Sequence, residues 1–98
     1  DIILKAKPIG GLCLIDGGEA DDKIIAVLTG DKVYGEYQDI SEIPKGILER
    51  FEHYFLTYKS LPDQPNKCEI AYIYGKDDAY RIIEQAIKDY QNLLAKLK

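Results

Sequence analysis

Apolar residues change their spacing along this chain, and the changes mark its elements. Lys23 to Thr29 (KIIAVLT) is rich in β-branched residues and predicts a strand. Ile2 to Lys7 alternates weakly, Pro8 and Gly10-Gly11 interrupt it, and Leu12 to Ile15 resumes, so two further short strands are expected there. Between Ile15 and Lys23 the chain turns polar (DGGEADD), and its Gly17-Gly18 pair signals a hairpin turn. Thr29 to Gln38 carries two more glycines and reads as a loop with a short extended piece.

The spacing then becomes helical. Ile47, Leu48, Phe51, Tyr54, Phe55 and Tyr58 form one stripe, and the helix is expected from Pro44 in its first turn to Ser60, stopped by Pro62. Asp63 to Lys67 reads as a loop, and Cys68 to Tyr74 as a strand ended by Gly75. A second helix follows, with Asp77 or Asp78 as its cap and Tyr80, Ile83, Ile87, Tyr90, Leu94 and Leu97 as its stripe. The order β-β-β-α-β-α predicts an α+β fold with a small, mostly antiparallel sheet. The helical placement of Tyr54, Tyr58, Tyr80 and Tyr90 assigns them to the core.

Composition narrows the function classes. The 98 residues make a single domain, 1–98, and 46% hydrophobic content is that of a globular chain. No apolar run has the roughly 18 residues of a membrane span, and no signal peptide is visible. A cytoplasmic protein without a membrane partner is the expectation. The net charge of −4 argues against nucleic acid, which is bound through excess Lys and Arg, and suits divalent cations. Cys13 and Cys68 read as buried thiols, with a disulfide between them left open, since a structural zinc site needs about four N or S ligands.

The candidate chemistry lies in the polar turn. Asp16, Glu19, Asp21 and Asp22 crowd within seven residues and are followed by Lys23. A solvated turn is the plain alternative. The spacing fails the EF-hand pattern, because glycines occupy its second and third positions. Repulsion among the carboxylates would be relieved by a hard cation such as Mg²⁺, and Asp16 and Asp21 could converge across the turn with Lys23 beside them. Carboxylates beside a lysine suit metal-bound phosphate. Tyr58-Lys59, in the last turn of the first helix, finish its stripe and complement its C-terminus, and acquire a functional reading only together with the turn.

Taken together, KPIGGLCLIDGGEADDKIIAV, YQDISEIP and HYFLTYKSL resemble the soluble inorganic pyrophosphatases of the first family. That family carries P-x-G-x-L-x-x-x-D, an acidic turn with D-x-K, then D-I-x-x-[ILV]-P opening a helix that ends H-x-F-x-x-Y-K. Here stand Pro8, Gly10, Leu12 and Asp16, then Asp21, Asp22 and Lys23, then Asp39, Ile40 and Pro44, and finally His53, Phe55, Tyr58 and Lys59. The match covers residues 1–60 by motif order; beyond Pro62 it rests on a strand and a terminal helix. The resemblance implies part of an OB-like antiparallel β-barrel flanked by two helices. It implies Mg²⁺-dependent hydrolysis of pyrophosphate to two phosphates, in a homo-oligomer. Asp16 and Asp21 would be metal ligands, with Asp21 and Lys23 catalytic. Lys23, Tyr58 and Lys59 would bind substrate phosphate. Glu19 and Asp22 would be solvated neighbours, and His53 a residue at a subunit contact or a satisfied helix histidine. The family's D-x-D-P-x-D signature is missing. The resemblance thus implies a C-terminal fragment lacking the N-terminal half of the barrel, inactive or nearly so alone. A non-catalytic OB-like binding or self-associating module is the alternative.

Overall fold

A computed structural model describes residues 3–58 and 68–97. Two strands, β1 (Ala6–Asp16) and β2 (Glu19–Leu28), meet at Gly17-Gly18. Both glycines have positive φ, +60° and +86°. That is the backbone of a two-residue primed turn, whose twist matches the strands it joins. The third strand, β3 (Cys68–Gly75), pairs antiparallel with the other side of β1, giving the order β2-β1-β3. The α+β antiparallel architecture is as expected from the chain. Among the described residues the sheet is open rather than closed into a barrel.

The two short strands expected before the turn are one. Pro8 and Gly10 lie inside β1, at a register shift against β2. Ile9 is the extra residue of this bulge, and it is fully buried in the core. A bulge absorbs the proline and re-aims the isoleucine without ending the ladder. Ile3 and Leu4 precede the strand and are exposed. Residues 30–37 form turns with no strand, organised by Asp31, whose carboxylate accepts from the N–H groups of Val33 (2.7 Å) and Tyr34 (2.8 Å). These two bonds, Tyr34 first, hold the Asp31 carboxyl below its usual range.

Helix α1 (Lys45–Thr57) has Pro44 as its N-cap and Tyr58 as its C-cap; the expected end at Ser60 and the 63–67 loop lie outside the described residues. Leu48, Phe51 and Phe55 press onto one face of the sheet, against a core of Ile9, Leu12, Ile25, Val27 and Ile40. Helix α2 (Lys76–Lys96) covers the other face through Ala79 and Ile82, which pack with Cys13, Tyr74 and Ile24. Tyr54, Tyr58, Tyr80 and Tyr90 were expected in the core. Instead Tyr80, Ile87, Tyr90, Leu94 and Leu97 are exposed, and so are Tyr54 and Tyr58 on α1. Only the first turns of α2 lie over the sheet, and the rest of its apolar side meets no surface among the described residues. Cys13 is a buried free thiol, so no disulfide joins it to Cys68.

The cap of α2 also differs from expectation. The helix starts at Lys76, before Asp77, and its N-cap Gly75 offers no side chain. The oxygen that receives the Lys76 N–H belongs to Asp39, 37 residues earlier, at 2.9 Å. The same carboxylate accepts from the Ser41 N–H at 3.0 Å, capping a 3₁₀ turn over Ile40–Glu42. The backbone bond to Lys76, then that to Ser41, hold the Asp39 carboxyl below its usual value of 3.8. Because the folded state binds this proton less readily than the unfolded one, the contribution is full above pH 3.8 and is lost as pH falls through the lowered folded value. Asp39→Ala is expected to cost roughly 1–2 kcal/mol at neutral pH. Urea midpoints of both proteins across an acid titration check this: the gap should narrow below pH 3.8, and a gap independent of pH would refute the charged cap.

Candidate functional site

The two-residue turn fixes which acidic side chains share a face. With Asp16 opposite Glu19, the register places Leu14 opposite Asp21 and Leu12 opposite Lys23. Cross-strand partners point the same way, and so do alternate residues along a strand. Asp16, Glu19, Asp21 and Lys23 therefore lie on one face, with Asp16 and Asp21 as diagonal neighbours of the kind typically about 7–8 Å apart. Asp22 and Cys13 fall on the opposite face. The carboxylate-rich stretch is thus sorted by strand parity into two groups.

Lys23 Nζ lies 3.0 Å from Asp21 Oδ2, both side chains about one-third exposed. The pair reaches solvent without being swamped by it. Asp16 ends β1, half-buried and opposite Cys68. The face on which these residues sit is also the face of Leu12 and Ile25, which α1 covers. Tyr58, at the C-terminal end of α1, is therefore on the same side of the sheet as Asp16, Asp21 and Lys23. Its ring stacks on Tyr54 (centroids 5.1 Å, 14° between planes) and meets Phe55 edge-on at 6.2 Å. Phe55 is anchored in the core, so this aromatic column holds the Tyr58 ring at the helix end. Lys59 lies outside the described residues. His53 is exposed on α1.

The opposite face carries a contact that local sequence patterns did not reveal. The Tyr74 phenol, from β3, donates to Asp22 Oδ1 on β2 at 3.1 Å, passing over Gly11 of β1. A Cβ at Gly11 would stand 2.6–2.7 Å from the Tyr74 ring, so only glycine admits the crossing. Burial, then the bond to the Asp22 carboxylate, pushes the Tyr74 phenol well above its usual range. Beside it, the Cys13 thiol raises the Tyr72 phenol. Asp22 was expected to be a mere solvated neighbour; it ties the outer strands together across the middle one. Its separation of 52 residues from Tyr74 leaves no local signal.

Elsewhere, a groove of about 420 Å³ between β2, the 30–37 turns and α1 is lined by Ile25, Val27, Asp31, Tyr34, Tyr37 and Phe51, away from the acidic turn. Among the described residues, no three His, Cys, Asp or Glu side chains are grouped closely enough to form a complete metal site. Two carboxylates on one face nevertheless suit Mg²⁺, which takes one or two carboxylates and fills its remaining positions with water and phosphate oxygens. No described helix is long and apolar enough to cross a membrane.

Comparison with known proteins bears on the whole chain. The family model described as inorganic pyrophosphatase matches residues 1–91. The chain is 52% identical over 103 aligned positions to the inorganic pyrophosphatase of Chlamydia caviae, covering all of this chain and 48% of that protein. It is 39% identical over 92 residues to that of Picrophilus torridus, covering 94% of this chain and 51% of the relative. The crystal structure of an inorganic pyrophosphatase from Neisseria gonorrhoeae superposes with a TM-score of 0.78 at 28% identity, over 92% of this chain and 52% of that one. The chain spans about half the length of the curated relatives it matches.

Proposed function

Because this chain belongs to the inorganic pyrophosphatase family, we propose that it supplies the acidic-hairpin half of an enzyme that hydrolyses pyrophosphate to two phosphates. The supporting observation is the placement of Asp16, Asp21 and Lys23 on one face at the turn end of the hairpin, with the Asp21–Lys23 pair at 3.0 Å. We assign Asp16 and Asp21 as oxygen ligands for Mg²⁺. When bound, the cation supplies neutralisation of phosphate oxygens and makes water more acidic. Lys23 presents a compact positive charge to a phosphate oxygen, and its contact with Asp21 keeps the ammonium at the cluster. The Tyr58 phenol donates a hydrogen bond to substrate phosphate, its ring held by the stack on Tyr54. Lys59 adds a second ammonium. In the reaction a water oxygen forms a bond to one phosphorus, the bridging P–O bond breaks, and the leaving phosphate departs with the bridging oxygen, each product phosphate taking up one of the water's two protons.

These groups hold phosphate; none is a free base aimed at water. The D-x-D-P-x-D motif is absent from the 98 residues. We therefore read the chain as the C-terminal half of a cytoplasmic, oligomeric enzyme and expect it to be inactive, or nearly so, alone. The test joins this chain in one polypeptide to the half of the Chlamydia caviae protein that it does not match, and measures phosphate release from pyrophosphate with and without Mg²⁺. Mg²⁺-dependent release from the joined protein, with little from this chain alone, is the expected result. No release from a joined protein that circular dichroism shows to be folded would sink the reading in favour of a non-catalytic binding module.

A further inference from the structure

One side chain links two strands that the backbone does not. Tyr74 stands in β3, opposite Gly11, and its phenol ends on Asp22 of β2 at 3.1 Å. These strands flank β1 and share no ladder with each other. At about 4.8 Å per strand, the tie bridges roughly 10 Å of sheet. It crosses β1 between two irregularities in the pairing, one at Pro8/Gly10 against β2 and one at Cys13/Leu14 against β3. Bulges disrupt the ladder and change the local twist, so between them the side-chain tie, more than the ladder, sets how the outer strands lie. The ring itself is held firmly. It is 6% exposed and clusters with Cys13 and with Ala79 in the first turn of α2, whose start Asp39 caps. Burial, then the bond to Asp22, keeps the phenol protonated, and so a donor, well above neutral pH.

We propose that Tyr74 is a positioning residue for the site: through Asp22 it sets where Asp21 and Lys23 stand relative to Asp16. This role rests on the assignment of Asp16 and Asp21 as Mg²⁺ ligands given above. Asp22 lies between Asp21 and Lys23 in the chain, and successive strand residues point to opposite faces. Holding the Asp22 side chain on one face therefore fixes the backbone from which both site residues rise on the other. Asp16 ends β1, diagonal to Asp21, so a small rotation of β2 changes the gap between the two carboxylates. Mg²⁺ takes its oxygens at about 2.0–2.1 Å in a near-ideal octahedron and tolerates such changes poorly. Tyr72, on the same face of β3, is the contrast. It is 57% exposed, and its phenol bonds the Cys13 thiol of β1 and does not tie β2.

The test uses the polypeptide that joins this chain to the unmatched half of the Chlamydia caviae protein. Mg²⁺ binding is read by calorimetry, kcat and KM for pyrophosphate by phosphate release, and stability by the urea midpoint. Tyr74→Phe removes the donor and keeps the ring. It should weaken Mg²⁺ binding about fivefold to tenfold, at or below the low end of the roughly 10–100-fold lost when a group bonded directly to a metal ligand is removed. KM at limiting Mg²⁺ should rise by a similar factor, while saturating Mg²⁺ restores most of kcat. Tyr72→Phe should leave Mg²⁺ binding unchanged. At the other end of the tie, Asp22→Ala should match Tyr74→Phe. Asp22→Asn, which loses the same charge but still accepts from the phenol, should stay within about twofold of the parent. Because both residues act through one bond, Tyr74→Phe combined with Asp22→Ala should be no worse than either alone. Mg²⁺ binding indifferent to Tyr74→Phe, with only the urea midpoint lowered, overturns the proposal. If Tyr74→Phe does not fold, alanine against asparagine at the exposed position 22 decides alone, and equal behaviour of the two overturns it. A parent whose Mg²⁺ binding depends on Tyr74 in this way but that releases no phosphate sinks the proposed activity and leaves the positioning role standing. A parent that releases phosphate with every variant alike does the reverse.

Discussion

Leu12→Ala is expected to destabilise the chain by about 2–5 kcal/mol, the cost of removing a large apolar side chain from a site that cannot collapse around it. Leu12 is fully buried in β1, the middle strand, with Lys23 opposite it on one side and Ile73 on the other. It belongs to the core formed with Ile9, Ile25, Val27 and Ile40, against which Leu48, Phe51, Phe55 and Ile70 pack. Strands on both sides are held by hydrogen bonds, so the surroundings have little freedom to fill the void. Whole domains are stable by only about 5–15 kcal/mol, so this single change removes a large part of the total. The shift should appear as a lower urea midpoint at unchanged slope in far-ultraviolet circular dichroism. Val33→Ala, at a position 71% exposed in the turns, should stay within about 0.5 kcal/mol. Equal losses in the two variants would mean that the core is not centred on Leu12.

What the sequence could and could not convey follows the range of each interaction. Gly17-Gly18 announced a tight hairpin, and a two-residue turn sets the parity of everything after it. The placement of Asp16, Asp21 and Lys23 on one face thus followed from local chemistry alone. The stripe through Leu48, Phe51 and Phe55 did meet the sheet. Pro8, Gly10 and Gly11 misled, because each is a breaker by local preference, whereas the bulge at Ile9 and the crossing of Tyr74 over Gly11 use those residues inside a continuous strand. Asp39 capping α2 and Tyr74 binding Asp22 link residues 37 and 52 positions apart, and pattern reading has no access to such distances. Tyr54, Tyr58, Tyr80 and Tyr90 were placed correctly on helical stripes and wrongly in the core: periodicity shows which side of a helix seeks cover, and only the rest of the fold decides what provides it.

The sorting of the acidic turn by strand parity yields the sharpest functional expectation. In the joined polypeptide, Asp21→Asn should reduce Mg²⁺-dependent phosphate release by on the order of 10²–10³-fold, since the several kcal/mol of charge stabilisation at stake in a metal–phosphate site translate at about 1.4 kcal/mol per tenfold. Stability should barely respond. Asparagine keeps the size of the side chain, and the pair it breaks is partly exposed, of the kind worth about 0–1 kcal/mol. A loss of activity accompanied by an equal loss of folding would therefore refute the assignment of Asp21 to the site. Raising Mg²⁺ should restore part of the rate, because a weakened ligand set is refilled by mass action. Asp22→Asn is the decisive comparison: it alters the next residue, carries the same change of charge, and touches the opposite face, where Tyr74 holds it. If facing matters, Asp22→Asn keeps phosphate release within a few-fold of the parent, and its effect appears in stability instead. If the two substitutions prove equally damaging to release, acidic density rather than geometry is what the turn contributes, and Asp21 has no special claim as a ligand.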